Sequence, residues 1–156
     1  MDNMLRLFGF QNIVESARNE IRSCNDFTEK YGLVLSDDDI SELVKCRDEA
    51  LKSAGRVEFG GGIMPKLIYA FCDSPYIEQE NYRDVLAELQ EIFYYYKSEG
   101  GDFFTDDELV EFMVTVFNGR AQGSTEYLAG TSLDALCRYA RSSFDGRNMG
   151  EAGDLF

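Results

Sequence analysis

Apolar residues along the chain recur mainly at the spacing of one helix face, and the runs end at residues that cap helices. The first helix is predicted over residues 11–24, with apolar side chains at i, i+3, i+4 and i+7. A second helix is predicted to begin after Ser36, which suits an N-cap ahead of three aspartates, and to end at Gly55. The dominant signal is therefore helical.

Residues 55–62 interrupt this pattern, because three consecutive glycines carry too much backbone entropy for a helix interior. This stretch is predicted to be a loop, with one short strand as an alternative. Further helices are predicted over residues 63–72, 78–98, 105–118 and 132–143, with a short turn near residues 124–129.

The helix over residues 105–118 has almost no polar side, so we expect it to be the most enclosed element. The pattern predicts an all-α fold, a single compact domain of five to seven helices packed around this helix. The domain is expected to span residues 1–143. Residues 144–156 contain three glycines and no periodicity, and are predicted to be a flexible C-terminal tail.

Composition supports a folded domain and adds a strong charge. The 156 residues are 44% hydrophobic, which is enough for one core. The formal net charge is −14, and residues 73–113 hold 12 acidic against 2 basic residues, so −10 of the −14 lies there. Such a field repels phosphate backbones and anionic lipids and attracts basic protein surfaces. We therefore expect neither nucleic acid nor membrane as a partner.

Most of the usual catalytic chemistries lack their residues. The chain has no histidine, which excludes Ser-His-Asp and Cys-His catalysis and His-ligated zinc or haem in their ordinary forms. No GxxxxGK[ST] motif is present. The cysteines form no CxxC pair and are expected to be buried free thiols; they are Cys24, Cys46, Cys72 and Cys137. We expect no enzyme and no cofactor.

Residues 97–113 look like the second half of an EF-hand, with Glu108 at the twelfth position of the loop. On that register the first ligand position is Lys97, and Asp102 replaces the required glycine. The calcium cage is incomplete, so no metal site is predicted.

The helix over residues 78–98 carries the first candidate site. On a helical wheel one side is apolar and the opposite side is an acidic ridge of Glu80, Asp84, Glu88 and Glu91. The partner-binding candidates are these four residues with Tyr94 and Tyr95, which lie off the apolar face. The simpler interpretation of the ridge is a solvated acidic face without a partner. The alternative for the two tyrosines is that another segment of the chain buries them.

The second candidate is a small-anion site. Glycines ahead of a helix can offer free backbone amides to an anion, and basic side chains lie nearby. The residues concerned are Gly60, Gly61 and Gly62 with Arg56 and Lys66. A turn that lets helices approach closely gives the same sequence without any ligand.

Whole phrases of the chain resemble a family of small uncharacterised bacterial cytosolic proteins, a domain of unknown function. They are GRVEFGGGIMPKLIYAFCDSPYIEQENY, ELQEIFYYYKSE, TDDELVEFM and FNGRAQGSTEYLAG. The similarity spans roughly residues 12–143 and implies no activity, ligand or residue role. The N-terminal residues carry no signal-peptide pattern and no apolar run approaches a membrane span, so a cytoplasmic location is expected.

These observations favour a non-enzymatic, acidic protein-interaction module, adaptor or regulatory, that binds a basic protein surface. Two alternatives stay open. One is a nucleic-acid mimic or inhibitor that occupies a basic site of a nucleic-acid-binding protein. The other is a small-anion-binding domain or enzyme that uses the Gly60–Gly62 loop. The sequence leaves the oligomeric state unknown.

Overall fold

A computed structural model describes residues 15–55, 62–100 and 104–132. Its elements are α1 (the helical residues 15–23), α2 (Asn25–Thr28) continued by a 3₁₀ turn (Glu29–Tyr31), α3 (Asp37–Ala54), α4 (Met64–Phe71), α5 (Tyr82–Gly100), α6 (Asp106–Asn118) and α7 (Thr125–Tyr127) continued by a π-helical turn (Leu128–Ser132). Every regular element in these ranges is helical, which confirms the all-α prediction. Within the same ranges, no helix is both long and apolar enough to cross a membrane.

The helix ends form where short-range hydrogen bonds replace the missing helical partners. Ser36 accepts a hydrogen bond from the Asp39 amide at 3.1 Å, and the Asp39 carboxylate accepts one from the Ser36 amide at 3.0 Å. Gly55 ends α3 in the left-handed region at φ 66°. Thr105 and Glu108 repeat the reciprocal bonds at the start of α6, both at 3.1 Å. Both capping predictions are confirmed.

Helix α5 begins at Tyr82, four residues later than the residues 78–98 predicted. The side chain of Asn81 accepts a hydrogen bond from the Glu78 amide at 2.8 Å and donates one to the Tyr76 carbonyl at 3.1 Å. These bonds hold the preceding residues as a turn, because they satisfy backbone groups in a non-helical arrangement. Glu80 therefore precedes the helix.

The centre of the domain is shared by α5 and α6. Helix α5 packs against α3, α4, α6 and α7, and α6 packs against α4, α5 and the π-helical turn. Leu109, Met113 and Phe117 of α6 are completely buried. Glu111 and Thr115 are exposed, so α6 has a polar side and is not the most enclosed element that the sequence predicts. Apolar burial of this kind is the main stabilising contribution to such a fold.

Helices α3 and α5 run side by side in the same direction. Near their starts, Arg83 of α5 lies 3.6 Å from the Asp39 carboxylate of α3. Further along both helices, the buried Gln90 side chain donates a hydrogen bond to the Leu43 carbonyl at 3.1 Å. These contacts fix the relative position of the two helices that form the candidate site.

Several predictions fall on residues outside the described ranges. They are the helix over residues 132–143 beyond its first residue, the flexible tail over residues 144–156, the domain limit at residue 143 and most of the loop at residues 55–62, including Arg56, Gly60 and Gly61. They stay predictions.

Candidate functional site

A groove of about 690 Å³ lies between the second halves of α3 and α5. One wall is a single stripe of α3, since Cys46, Glu49, Ala50 and Ser53 recur at i, i+3, i+4 and i+7. The other wall comes from α5, with one further residue from the π-helical turn; these residues are Ala87, Glu88, Glu91, Ile92, Tyr94, Tyr95, Tyr96, Ser98, Glu99 and Ala129.

The lining of this groove combines small or apolar side chains with carboxylates of one sign. Ala50 and Ala87 are partly buried and Ile92 is buried, so they form an apolar floor. Four exposed glutamates accompany them, namely Glu49, Glu88, Glu91 and Glu99. Among the described residues that line the groove there is no lysine or arginine. The groove therefore presents negative potential above an apolar surface.

The predicted acidic ridge is divided into two groups. Glu88 and Glu91 line the groove. Glu80 and Asp84 instead line a separate cavity of about 230 Å³. Arg83 also lines that second cavity and lies 3.0 Å from the Asp84 carboxylate, so it offsets part of the charge there. The groove therefore holds two of the four ridge carboxylates, in a lining whose described residues include no lysine or arginine.

The two groove carboxylates of the ridge differ in their partners. Glu88 accepts a hydrogen bond from the Thr125 hydroxyl at 2.5 Å, which ties α5 to the start of α7. Glu91 is exposed and forms no ion pair within the part of the chain that the structure describes. Of these two groove carboxylates, Glu91 is thus the one without a described side-chain partner.

The adjacent tyrosines have opposite environments. Tyr94 is only 1% exposed, and its hydroxyl oxygen accepts a hydrogen bond from the Ile63 amide at 3.4 Å. Because its ring belongs to the core, Tyr94 is not available as a surface contact, which corrects its placement among the partner-binding candidates. Tyr95 is 57% exposed and packs edge-on against Tyr96, with ring centroids 4.9 Å apart. Tyr96 is held in turn because its hydroxyl donates to the Ala129 carbonyl.

Cys46 is the one thiol among the described groove residues, and it is only partly buried, unlike the buried thiol predicted from the sequence. Burial raises the pKa of the Cys46 thiol, and the nearby carboxylates of Glu42, Glu49 and Glu91 raise it further. A thiol with a raised pKa is a poor nucleophile at neutral pH, because the thiolate is the reactive form. The groove is therefore better suited to contact than to thiol chemistry.

The described part of the anion candidate has other partners. The Lys66 ammonium group lies 2.7 Å from the Asp107 carboxylate, so its charge is paired across to α6. The amide that follows Gly62, that of Ile63, donates to Tyr94. Pro65 lies in the first turn of α4, where its missing amide hydrogen costs no helical hydrogen bond. The rest of this candidate lies outside the described residues.

The EF-hand likeness corresponds to a different local structure. Lys97 belongs to the last turn of α5, and its ammonium group bonds the Phe104 carbonyl and lies 3.1 Å from Asp106. The carboxylate of Glu108 caps α6 through the Thr105 amide, and this bond lowers the pKa of the Glu108 carboxyl. Both side chains therefore serve helix termini.

A second exposed surface had no signal in the sequence. Phe27 stacks edge-on against Tyr69 with ring centroids 5.1 Å apart, and Tyr31 lies 6.1 Å from Phe27. The Lys30 ammonium group lies 4.1 Å from the centre of the Phe27 ring. Phe27 and Tyr31 are four residues apart in α2 and its 3₁₀ turn, and the tertiary structure brings Tyr69 of α4 beside them.

The fold and the groove define an acidic, all-α domain with a mostly apolar, carboxylate-lined groove between α3 and α5. The chain belongs to a family of unknown function (DUF6323), whose sequence profile matches residues 20–146. This agrees with the resemblance to a domain of unknown function. Comparisons with curated proteins and with solved structures give no match.

Proposed function

We propose that this protein is a non-enzymatic interaction module that binds a basic protein surface through the groove between α3 and α5. The observation that carries the proposal is the groove itself. Glu49 on α3 and Glu88 and Glu91 on α5 surround an apolar floor, and no lysine or arginine is among the described residues of the lining. A lysine- or arginine-bearing surface with an apolar centre complements both properties.

The charge pattern supports attraction over long distance and contact at short distance. The whole chain carries −14, so a basic partner is steered toward it before contact, and salt screens this attraction within about 8–10 Å. At contact, the exposed ring of Tyr95 offers a large amphipathic side chain beside Glu91. Aromatic residues of this type are common energetic anchors in interfaces.

A protein partner is favoured over mimicry of nucleic acid for two reasons. Mimicry of a phosphate backbone needs a continuous acidic band, whereas Arg83 interrupts the ridge between Glu80 and Asp84. The groove carboxylates also surround Ala50 and Ala87, and a nucleic-acid-binding site has little use for an apolar floor. Mimicry stays the alternative.

The cellular setting is part of the proposal. The resemblance implies a bacterial, cytosolic protein, and a cytosolic module would meet basic surfaces of nucleic-acid-binding and regulatory proteins. Fractionation of the source cells tests this location. A protein recovered with membranes or in the culture medium would contradict it.

The test uses a synthetic lysine-rich peptide that carries one tryptophan. The chain contains no tryptophan, so the peptide alone reports binding by its fluorescence. We expect salt-dependent binding that weakens about tenfold when Glu88→Gln and Glu91→Gln are combined, a loss of about 1.4 kcal/mol. Tyr95→Ala should speed dissociation with little effect on association, because it removes short-range contact only.

The matched control removes the same charge elsewhere. Glu29 and Glu111 are exposed glutamates outside the groove. Glu29→Gln combined with Glu111→Gln also removes two negative charges. We expect this control to weaken binding less than the groove pair. Equal effects of the two pairs would show that only net charge matters and would contradict a site at the groove.

A further inference from the structure

We infer that the occupant of the groove is a basic amphipathic α-helix of the partner, two to three turns long, which lies along α3 and α5. The inference rests on the proposed function and specifies the form of the partner. Small side chains on the floor let a helix approach closely, while carboxylates on both walls meet lysines or arginines on its flanks.

The hydrogen bonding of the walls favours a helix over an extended peptide. Both walls are α-helices, so their backbone amides and carbonyls already bond within α3 and α5. An extended peptide would place its own amides and carbonyls against Ala50, Ala87 and Ile92, where no backbone partner is offered. A helix satisfies its backbone internally and avoids that cost.

The dimensions fit the same occupant. On α3 the groove runs from Cys46 to Ser53, which is about 10 Å at 1.5 Å per residue. On α5 it runs from Ala87 to Glu99, which is about 18 Å by the same rise. Each helical turn rises about 5.4 Å, so a partner helix of two turns matches the α3 wall and one of slightly more than three turns matches the α5 wall.

The groove carboxylates favour basic side chains on both flanks of the partner helix. The net charge of the chain disfavours a second copy of it as the occupant. Glu49 stands on one wall and Glu88 and Glu91 stand on the other, so basic side chains are complemented on both sides of an apolar stripe. Two copies of this chain would each bring a net charge of −14 to the contact, and like charges repel.

The experiment compares two tryptophan-labelled peptides of about 14 residues, roughly four turns and therefore longer than the groove. One has leucine and alanine at i, i+3, i+4 and i+7 with lysines on both flanks. The second has the same charge and a proline in its central turn, which breaks the helix. We expect the helical peptide to bind the full chain about tenfold more tightly than the proline peptide.

Variants of the groove complete the test. Ala87→Phe and Ser53→Phe fill the groove from opposite walls without removing a carboxylate. Each should weaken the helical peptide about tenfold and leave the proline peptide nearly unchanged. Ala70→Phe is the matched control, because Ala70 is a partly buried helical alanine at the α4–α6 surface. Thermal unfolding of each variant confirms that the domain is folded.

The outcomes separate the two proposals. If both peptides bind equally and both depend on Glu88 and Glu91, the acidic surface is functional and the helical occupant is wrong. If neither peptide binds at low salt, the proposed function itself fails. If the free protein forms a dimer that Ala87→Phe dissociates, the occupant is a second copy and the inference is overturned.

Discussion

The side-chain amide of Gln90 donates a hydrogen bond to the backbone carbonyl of Leu43 at 3.1 Å, in a position where Gln90 is only 1% exposed. On α3 this buried polar contact lies about one turn before the groove begins at Cys46, and on α5 it lies between the groove residues Glu88 and Glu91. Buried polar groups are costly unless they are bonded, so this pair specifies one relative position of the two helices.

Two replacements of Gln90 should therefore lower the free energy of unfolding by different amounts. Gln90→Leu keeps most of the volume and removes the hydrogen bond, so we expect a loss of about 0.5–1.5 kcal/mol in the free energy of unfolding. Gln90→Ala also leaves a cavity and should cost more than Gln90→Leu. Urea denaturation measures both. A Gln90→Leu variant more stable than the natural chain would show that the contact does not hold the helices together.

The capping box of α6 should make stability depend on acidic pH. The bond from the Thr105 amide lowers the pKa of the Glu108 carboxyl below its usual value of 4.5. A lowered folded-state pKa gives stability that is present above about pH 4.5 and lost as the pH falls through the lowered pKa. Glu108→Gln should flatten the dependence of the free energy of unfolding on acidic pH. The glutamine amide oxygen still accepts the bond from Thr105, but the amide does not titrate in this range.

Two further variants check that this pH effect belongs to the cap. Thr105→Ala should cost about 1 kcal/mol at neutral pH, the usual loss for an N-cap threonine. Glu111→Gln removes a carboxyl group of the same helix outside the capping box and should keep the acidic dependence. If Glu108→Gln and Glu111→Gln gave the same pH profile by denaturation, the assignment would be wrong.

The core position of α6 predicts a large cost for Phe117→Ala. The Phe117 ring is completely buried and packs edge-on against Phe71, with ring centroids 5.3 Å apart. We expect a loss of about 3–5 kcal/mol, the range for removal of an aromatic ring from a closed core. Phe112 is only partly buried, so Phe112→Ala should cost less. Chemical denaturation that gave equal losses would contradict this ranking.

The groove carboxylates should slow the reaction of Cys46 with a disulfide reagent. Burial raises the pKa of the Cys46 thiol, and Glu91 contributes to the same increase. Glu91→Gln should therefore increase the thiolate fraction at a given pH and speed the reaction. The Cys46→Ser variant identifies which part of the absorbance change belongs to this thiol. An unchanged rate in Glu91→Gln would place the carboxylate away from Cys46.

The parts of this structure that the sequence predicts are local ones. A capping box involves two residues that are three apart in the sequence. The boxes of Ser36 with Asp39 and of Thr105 with Glu108 are therefore predicted from the sequence alone. Helix faces follow from spacing for the same reason. The predicted start of α5 at residue 78 is wrong, because the side chain of Asn81 forms hydrogen bonds that hold the preceding residues in a turn.

The parts that the sequence does not predict depend on which elements meet. A helical wheel places Tyr94 off the apolar face of α5, but in the fold its side chain is buried and contacts Ile63, 31 residues away. Glu49 belongs to the site because α3 lies beside α5, and no pattern in either helix specifies that neighbour. The ion pair of Arg83 with Asp39 of α3 also depends on this contact between the helices, whereas the ion pair of Arg83 with Asp84 joins neighbours in the sequence.

The most direct measurement of the groove as the binding site is a titration of the isotope-labelled full chain with the lysine-flanked helical peptide, followed by amide chemical shifts in NMR spectra. The predicted result is that the largest changes fall on residues 46–53 and 87–99, with Ala70 and Glu111 nearly unchanged. Changes centred on Phe27, Tyr31 and Tyr69, or spread evenly over the acidic surface, would contradict the proposal.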